Sequence, residues 1–323
     1  MSLLPWLLAA QPWTRYHTLL DLLDRPENDP EVQDARDAML VHADTKSLVT
    51  RAFERELQPV KRHNDASHPL AALTVLADFG LREGDPGLQA VVEGVLEHVS
   101  DEGAFQSLVN VSPAFGGSGE DMWSWMGCDC PTLLYALLAF GMGSDERVLR
   151  AVDHLVSLAR PDGWGCTSAP ELGGFRGPGR KSDPCPIANL LALKALWQSH
   201  EAVESCAAAS GVSVLLNLWD QRANRKPYLF GMGTDFAKLK YPMIWYDILH
   251  VVDVLSHYPC AREDPRFREM LGVVTALTDA EGRYTAGSMY RFWKGWCFAE
   301  KGKPSPWLTF LVLRICKRTG IEF

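Results

Sequence analysis

The stretch that decides the fold is Ser182-Asp-Pro-Cys-Pro-Ile-Ala-Asn-Leu-Leu-Ala-Leu-Lys-Ala-Leu-Trp197. A proline behind a turn residue opens a run that is apolar on nearly every side. Proline suits the first turn of a helix, where its missing N–H is not needed. An apolar run without a polar face reads as a helix buried on both sides. The same arrangement recurs at Gln11-Pro12, His68-Pro69, Cys130-Pro131, Tyr241-Pro242 and Ser305-Pro306, each ahead of an apolar run. Successive prolines are 57, 62, 55, 56 and 64 residues apart, which marks an internal repeat.

A second, amphipathic run follows most of these, introduced by Asp29-Pro30, Asp85-Pro86, Ser144-Asp145 or Asp264-Pro265. Its charges are spaced for one exposed helical face. Several repeats then end in an acidic-glycine turn with an aromatic after it: Asp101-Glu-Gly-Ala-Phe105, Asp162-Gly-Trp164 and Glu281-Gly-Arg-Tyr284. Buried helix, outer helix and turn, six times over, predict an all-α fold. Its expected form is an α/α toroid (α6–α6 barrel), a single domain over residues 1–323. No alternating strand pattern argues otherwise, and an open superhelix of helical hairpins is the alternative.

Composition narrows the class. With 47% apolar and 22% charged residues, the 323-residue chain is neither disordered nor fibrous. A net charge of −8 argues against bulk nucleic-acid binding, which needs a basic surface. The apolar stretch at residues 1–10 is about half the length that spans a bilayer and lacks the basic leader of a secretory signal. The expectation is a cytoplasmic protein, not an integral membrane protein, with its eight cysteines as thiols. Eleven tryptophans call either for a repeated packing role or for an aromatic-lined cavity.

Asp162-Gly-Trp-Gly-Cys166 and the other turns resemble the glycine-aromatic repeats of the squalene-cyclase and protein-prenyltransferase superfamily, including the prenyltransferase β subunit. The resemblance spans essentially the whole chain at the level of repeats. It implies an α6–α6 barrel with a deep, aromatic-lined central cavity. The prenyltransferase catalytic subunit has an Asp-x-Cys pair on one inner helix, which Asp183 and Cys185 match. One repeat later it has a histidine after an aromatic pair; here Trp245-Tyr246 is followed by Asp247, and the nearest histidine is His250. The squalene-cyclase acid motif Asp-x-Asp-Asp does not occur in the chain. The protein prenyltransferase, for its part, works with a separate α subunit and has a longer chain.

The residues themselves point to the same end of the repeats. Thiolate, imidazole and carboxylate together suit tetrahedral zinc, so Asp183, Cys185, Asp247 and His250 are candidate metal ligands, with Cys166 a spare thiol. Zinc is the cofactor expected; no nucleotide cofactor is, because no phosphate-cradling loop is present. Asp183 could equally cap its helix, Cys185 could be a small buried residue, and His250 a hydrogen-bonded core histidine.

Lys61-Arg-His63-Asn-Asp65-Ala-Ser-His68 offers His63 or His68 as a general acid or base, with Asp65 to orient one of them. Asp121 and Asp129, with Glu120, could pair with cations, bind a metal with Cys128 and Cys130, or protonate a substrate. Tyr246 is a further catalytic candidate. Four of the loops ahead of the inner helices are net positive, and only 115–131 is net negative. Arg62, Arg180, Lys181, Lys226 and Lys240, with Trp123, are therefore candidates for holding a small molecule with an anionic group.

Three function classes follow. The first is an enzyme acting on a small or medium apolar, isoprenoid-like molecule with an anionic head, assisted by zinc. The second is a metal-free carbohydrate hydrolase or lyase with paired carboxylates, such as Asp121 with Asp129 or Asp247. The third is a non-enzymatic toroid that binds a lipid or a partner.

Overall fold

The computed structural model describes residues 3–175, 182–222 and 235–322. It is mostly helical, and a small two-stranded antiparallel sheet is the one sheet among the described residues. Helices α1 (Leu3–Leu8), α2 (Pro12–His17), α3 (Pro30–Val41) and α4 (Ala43–Phe53) come first. Next are α5 (Leu70–Asp78), α6 (Leu88–Leu96), α7 (Cys130–Ala139), α8 (Glu146–Ser157), α9 (Pro186–Leu196) and α10 (Cys206–Asp220). The last are α11 (Ile248–Ser256), α12 (Pro259–Arg262), α13 (Pro265–Thr275) and α14 (Pro306–Arg318). Strands β1 (Ser107–Val109) and β2 (Met122–Ser124) pair with Leu108 opposite Trp123. No helix among the described residues is long and apolar enough to cross a membrane.

The chain divides into two compact units, residues 48–231 and residues 1–47 with 232–323. In the first, α5 packs on α7, α7 on α9, α7 against α8, and α9 against α10. Every residue of α9 from Pro186 to Leu196 is buried, as an apolar run without a polar face requires. Each fully buried Leu or Ile there contributes roughly 1.5–3 kcal/mol. Near the C-terminal ends of these inner helices, the Lys194 ammonium lies 3.3 Å from the Asp78 carboxylate. The Tyr135 hydroxyl donates to the same carboxylate at 2.6 Å. One buried polar cluster thus ties α5, α7 and α9 together.

In the other unit α14 packs on α2 and α11, α2 on α3, and α11 on α13. Helix α2 runs on into a π-helical turn, Thr18–Leu22. All nine residues of α11 are buried. Arg318 and Arg314 reach the Asp253 carboxylate at 3.4 and 3.6 Å, placing cations near the C-terminal end of α14.

Five of the six proline-led runs begin a helix at or within a residue of the proline; the run after Pro242 does not. There the helix waits until Ile248, because extended Asp247 caps it, its Oδ1 accepting the His250 N–H at 3.1 Å. Among the outer helices, Asp29, Asp145 and Asp264 cap α3, α8 and α13 by accepting N–H groups at 2.9, 2.8 and 2.8 Å. Asp85 departs from that pattern. Its carboxylate accepts the Arg82 N–H at 2.7 Å, and α6 starts only after Gly87, whose φ of +80° suits glycine.

The aromatic excess is largely packing. Trp13, Trp164, Trp293 and Trp307 are fully buried. The Trp164 indole N–H donates to the Leu155 carbonyl at 2.8 Å, and its backbone N–H donates to the Asn189 side-chain oxygen at 3.0 Å. Asn189 in turn donates to the carbonyls of Trp164 and Cys185, both at 2.8 Å. Turn and inner helix are thereby stitched. The final repeat reproduces the stitch, with the Thr309 hydroxyl accepting the Tyr284 N–H at 2.9 Å.

Candidate metal and acid–base site

The site lies in the unit of residues 48–231 and is assembled by a short backbone pairing. The Val60 N–H donates to the Leu108 carbonyl at 2.8 Å, and the Asn110 N–H to the Val60 carbonyl at 3.1 Å. That fixes the loop ahead of α5 beside β1. Strand β2 then leads through a turn at 126–129 into α7. His63, three residues beyond Val60, meets Asp129 at the start of α7.

His63 Nδ1 lies 3.0 and 3.1 Å from the two Asp129 carboxylate oxygens. Asp129 occupies the cap position of α7, yet its side chain makes no capping bond. The carboxylate is turned to the imidazole instead. Burial opposes charge on His63, but the adjacent Asp129 carboxylate outweighs it and holds the imidazole pKa above its ordinary value. With Nδ1 on Asp129, Nε2 is the nitrogen left for a proton, and an ion shared with Asp129 would take the Nδ1 side of the ring. The Phe175 ring lies 6.3 Å from the imidazole, centroid to centroid.

Cys128 completes the group. One donor atom each from His63, Cys128 and Asp129 lie within 4.8 Å of one another. Burial pushes the Cys128 thiol well above its ordinary pKa, and the neighbouring Asp129 charge adds to this. A thiol so held keeps its proton unless a bound cation displaces it to solvent. The donor set of nitrogen, sulfur and oxygen fits zinc.

The other expected residues fall in several places. His68 is committed to the backbone: its Nε2 lies 2.9 Å from the Gln58 carbonyl, and its Nδ1 accepts the Leu70 N–H at 3.2 Å. Asp65 orients neither histidine. Its Oδ1 accepts from the Ser67 N–H at 2.9 Å and hydroxyl at 2.6 Å. Arg62 is exposed near Asp65. Asp121 is exposed and accepts from the Asn110 amide at 2.6 Å, away from the buried setting of Asp129. Trp123 is half-buried and stacks on His98, with ring centroids 3.4 Å apart. Arg180, Lys181 and Lys226 lie outside the described residues.

The expected metal set divides between the two units. Asp183 and Cys185 belong to one; Asp247 and His250 belong to the other. Cys185, not Asp183, takes the cap position of α9, because Pro186 is already the first helical residue. Asp183 is half-buried, 3.4 Å from the Ser182 hydroxyl. His250 is fully buried, with Nδ1 3.1 Å from the Trp245 carbonyl. Buried Lys240 lies 3.4 Å from the Asp235 carboxylate and over the Tyr290 ring. Tyr246 is buried against Phe236, and burial raises its hydroxyl pKa.

No protein-family model matches the chain, and no curated protein does. A solved structure titled as a protein from Actinoplanes aligns with 96% of this chain and 90% of its own, at 15% identity and a TM-score of 0.43.

Proposed function

We propose that this chain is an enzyme of the α/α-toroid kind, akin to the squalene cyclases and protein prenyltransferases. In this reading it holds zinc at His63, Cys128 and Asp129 and acts on an apolar molecule with an anionic head. The observation that carries the reading is the approach of imidazole, thiol and carboxylate to within 4.8 Å of one another. Three inner helices in each unit, each backed mostly by an outer one, support the toroid, and the net-positive loops ahead of them support the anionic head. Zinc bound there would supply a Lewis acid and lower the pKa of a thiol or water it holds. The chain's own residues do the rest. Before the ion binds, Asp129 orients the imidazole through Nδ1, and the Phe175 ring lies 6.3 Å from it.

The test is elemental analysis of protein purified without chelator, alongside His63→Ala and Cys128→Ser variants checked for fold by circular dichroism. The expected result is stoichiometric zinc in the parent and about a tenth or less in the folded variants. Metal-free parent protein, or variants that keep their zinc, would overturn the reading. A second reading has its own observation, since the 3.0 Å contact of His63 with Asp129 needs no metal to orient a general base. A hydrolase or lyase of that kind predicts a metal-free parent whose turnover falls roughly 10²–10⁴-fold in His63→Ala.

A further inference from the structure

The loop that carries His63 is closed on itself by a second histidine. His68 is buried, and its Nε2 lies 2.9 Å from the Gln58 carbonyl, so residues 58 and 68 meet at the neck of the loop. Its Nδ1 accepts the Leu70 N–H at 3.2 Å, a donor in the first turn of α5 that the helix itself leaves without a partner. An imidazole making both bonds carries its proton on Nε2 and its lone pair on Nδ1. A second proton would set Nδ1–H against the Leu70 N–H, donor against donor. The arrangement therefore requires a neutral histidine.

The rest of the loop is built round that neck. Two tight turns follow one another: the Asp65 N–H donates to the Arg62 carbonyl at 3.2 Å, and the His68 N–H to the Asp65 carbonyl at 3.0 Å. Arg51 on α4 donates to the Ser67 carbonyl. Ahead of the turns, Val60 is held to β1 through Leu108 and Asn110. His63 lies between these fixed points, and its imidazole reaches Asp129 from there. The charges acting on His68 are those of Asp129 at the start of α7, Asp65 on its own loop and Arg51. Burial outweighs the Gln58 bond and the two carboxylates and, with Arg51, holds the imidazole pKa below its ordinary value. The neutral form thus persists further into acid than in the unfolded chain.

We propose that His68 is a positioning residue of the candidate site: neutral and protonated at Nε2, it latches loop 58–68 shut and so sets His63 against Asp129. This rests on His63 and Asp129 being the site, whether or not an ion joins them. Tying the two ends of a loop removes much of its freedom before the residue at its tip meets a partner. The Leu70 bond fixes the ring's orientation, and the Gln58 bond closes the neck.

The test uses the full chain, stripped with chelator, with His68→Gln, His68→Asn and His68→Ala variants checked for fold by circular dichroism. The glutamine amide nitrogen takes the place of Nε2 and can still donate to Gln58. The asparagine oxygen takes the place of Nδ1 and keeps only the Leu70 bond. The readout is the proton NMR resonance of the His63 Nδ1–H held by Asp129, assigned by its loss in His63→Ala. The expected result is that the parent and His68→Gln show this resonance, while His68→Asn and His68→Ala lose it. On titration with zinc, His68→Asn and His68→Ala should also bind at least about tenfold more weakly than His68→Gln. A resonance kept in His68→Asn or His68→Ala, or lost from His68→Gln as well, would overturn the assignment. A parent that shows the resonance but binds no zinc would remove the zinc reading and leave the role of His68 to the resonance alone. A parent without the resonance would remove both the His63–Asp129 pair and this assignment.

Discussion

Asp247 is a carboxyl group that the fold keeps from ionising easily. It is fully buried; one oxygen caps α11, and the other has no hydrogen-bond partner among the described residues. Burial pushes its pKa from 3.8 up to about 7, with the Lys240 charge pulling the other way. The folded state therefore binds this proton more tightly than the unfolded chain. Its contribution to stability is greatest below pH 4, falls as pH rises from about 4 to 7, and is level above that. The whole swing is on the order of 4 kcal/mol. Asn caps a helix about as well as Asp. Asp247→Asn should therefore flatten that window and exceed the parent's stability at pH 8, as read from urea unfolding across pH. A parent whose stability does not fall between pH 4 and 7 would refute this. The candidate site shows a limit of the same scale. His63 and Asp129 each stand out in the sequence as acid–base candidates, but they are 66 residues apart. The pairing of Val60 with Val109 and the packing of α5 on α7 bring them together, and strands three residues long carry no alternation to announce the pairing.

Elements were legible where a single local force sets them. The proline-led inner helices follow from ring geometry and apolar patterning, and the sequence displays both. Helix starts fixed by competing partners are harder to read: Pro242 gave way to the Asp247 cap, and Asp85 turned back to Arg82. The stitch between turn and inner helix was hidden as well, since Asn189 looks like one polar residue in an apolar run. Its three hydrogen bonds make it the hinge of that repeat. Asn189→Ala should cost about 2–4 kcal/mol by leaving buried backbone groups without partners. Gly163→Ala should also destabilise, because φ is +87° and its Cβ would clash with the Asn189 side-chain oxygen. Thermal unfolding of both variants checks this, and unchanged melting temperatures would refute it.

Across the whole molecule, burial ranks the helices. Residues of α9 and α11 are buried throughout, whereas α3 and α13 expose a charged face. Hydrogen exchange should therefore be slowest in α7, α9, α11 and α14, and markedly faster in α3 and α13. Equal protection in both sets would contradict the inner–outer assignment within each unit.

The stitched turns have one more consequence. Gly165 is paired with Pro184, and Thr285 with Pro304, so each intervening excursion leaves and re-enters the framework at a closed neck. The closure cost is met largely at the neck, and doubling such a loop adds only about 0.6 kcal/mol. Exposed stretches of these excursions, such as 294–295, can change in length and sequence, while buried Trp293 and the pairing of 167–169 with 125–127 hold the rest to the helices beneath. A framework of this kind can acquire a new specificity by exchanging loops, without redesign of its core.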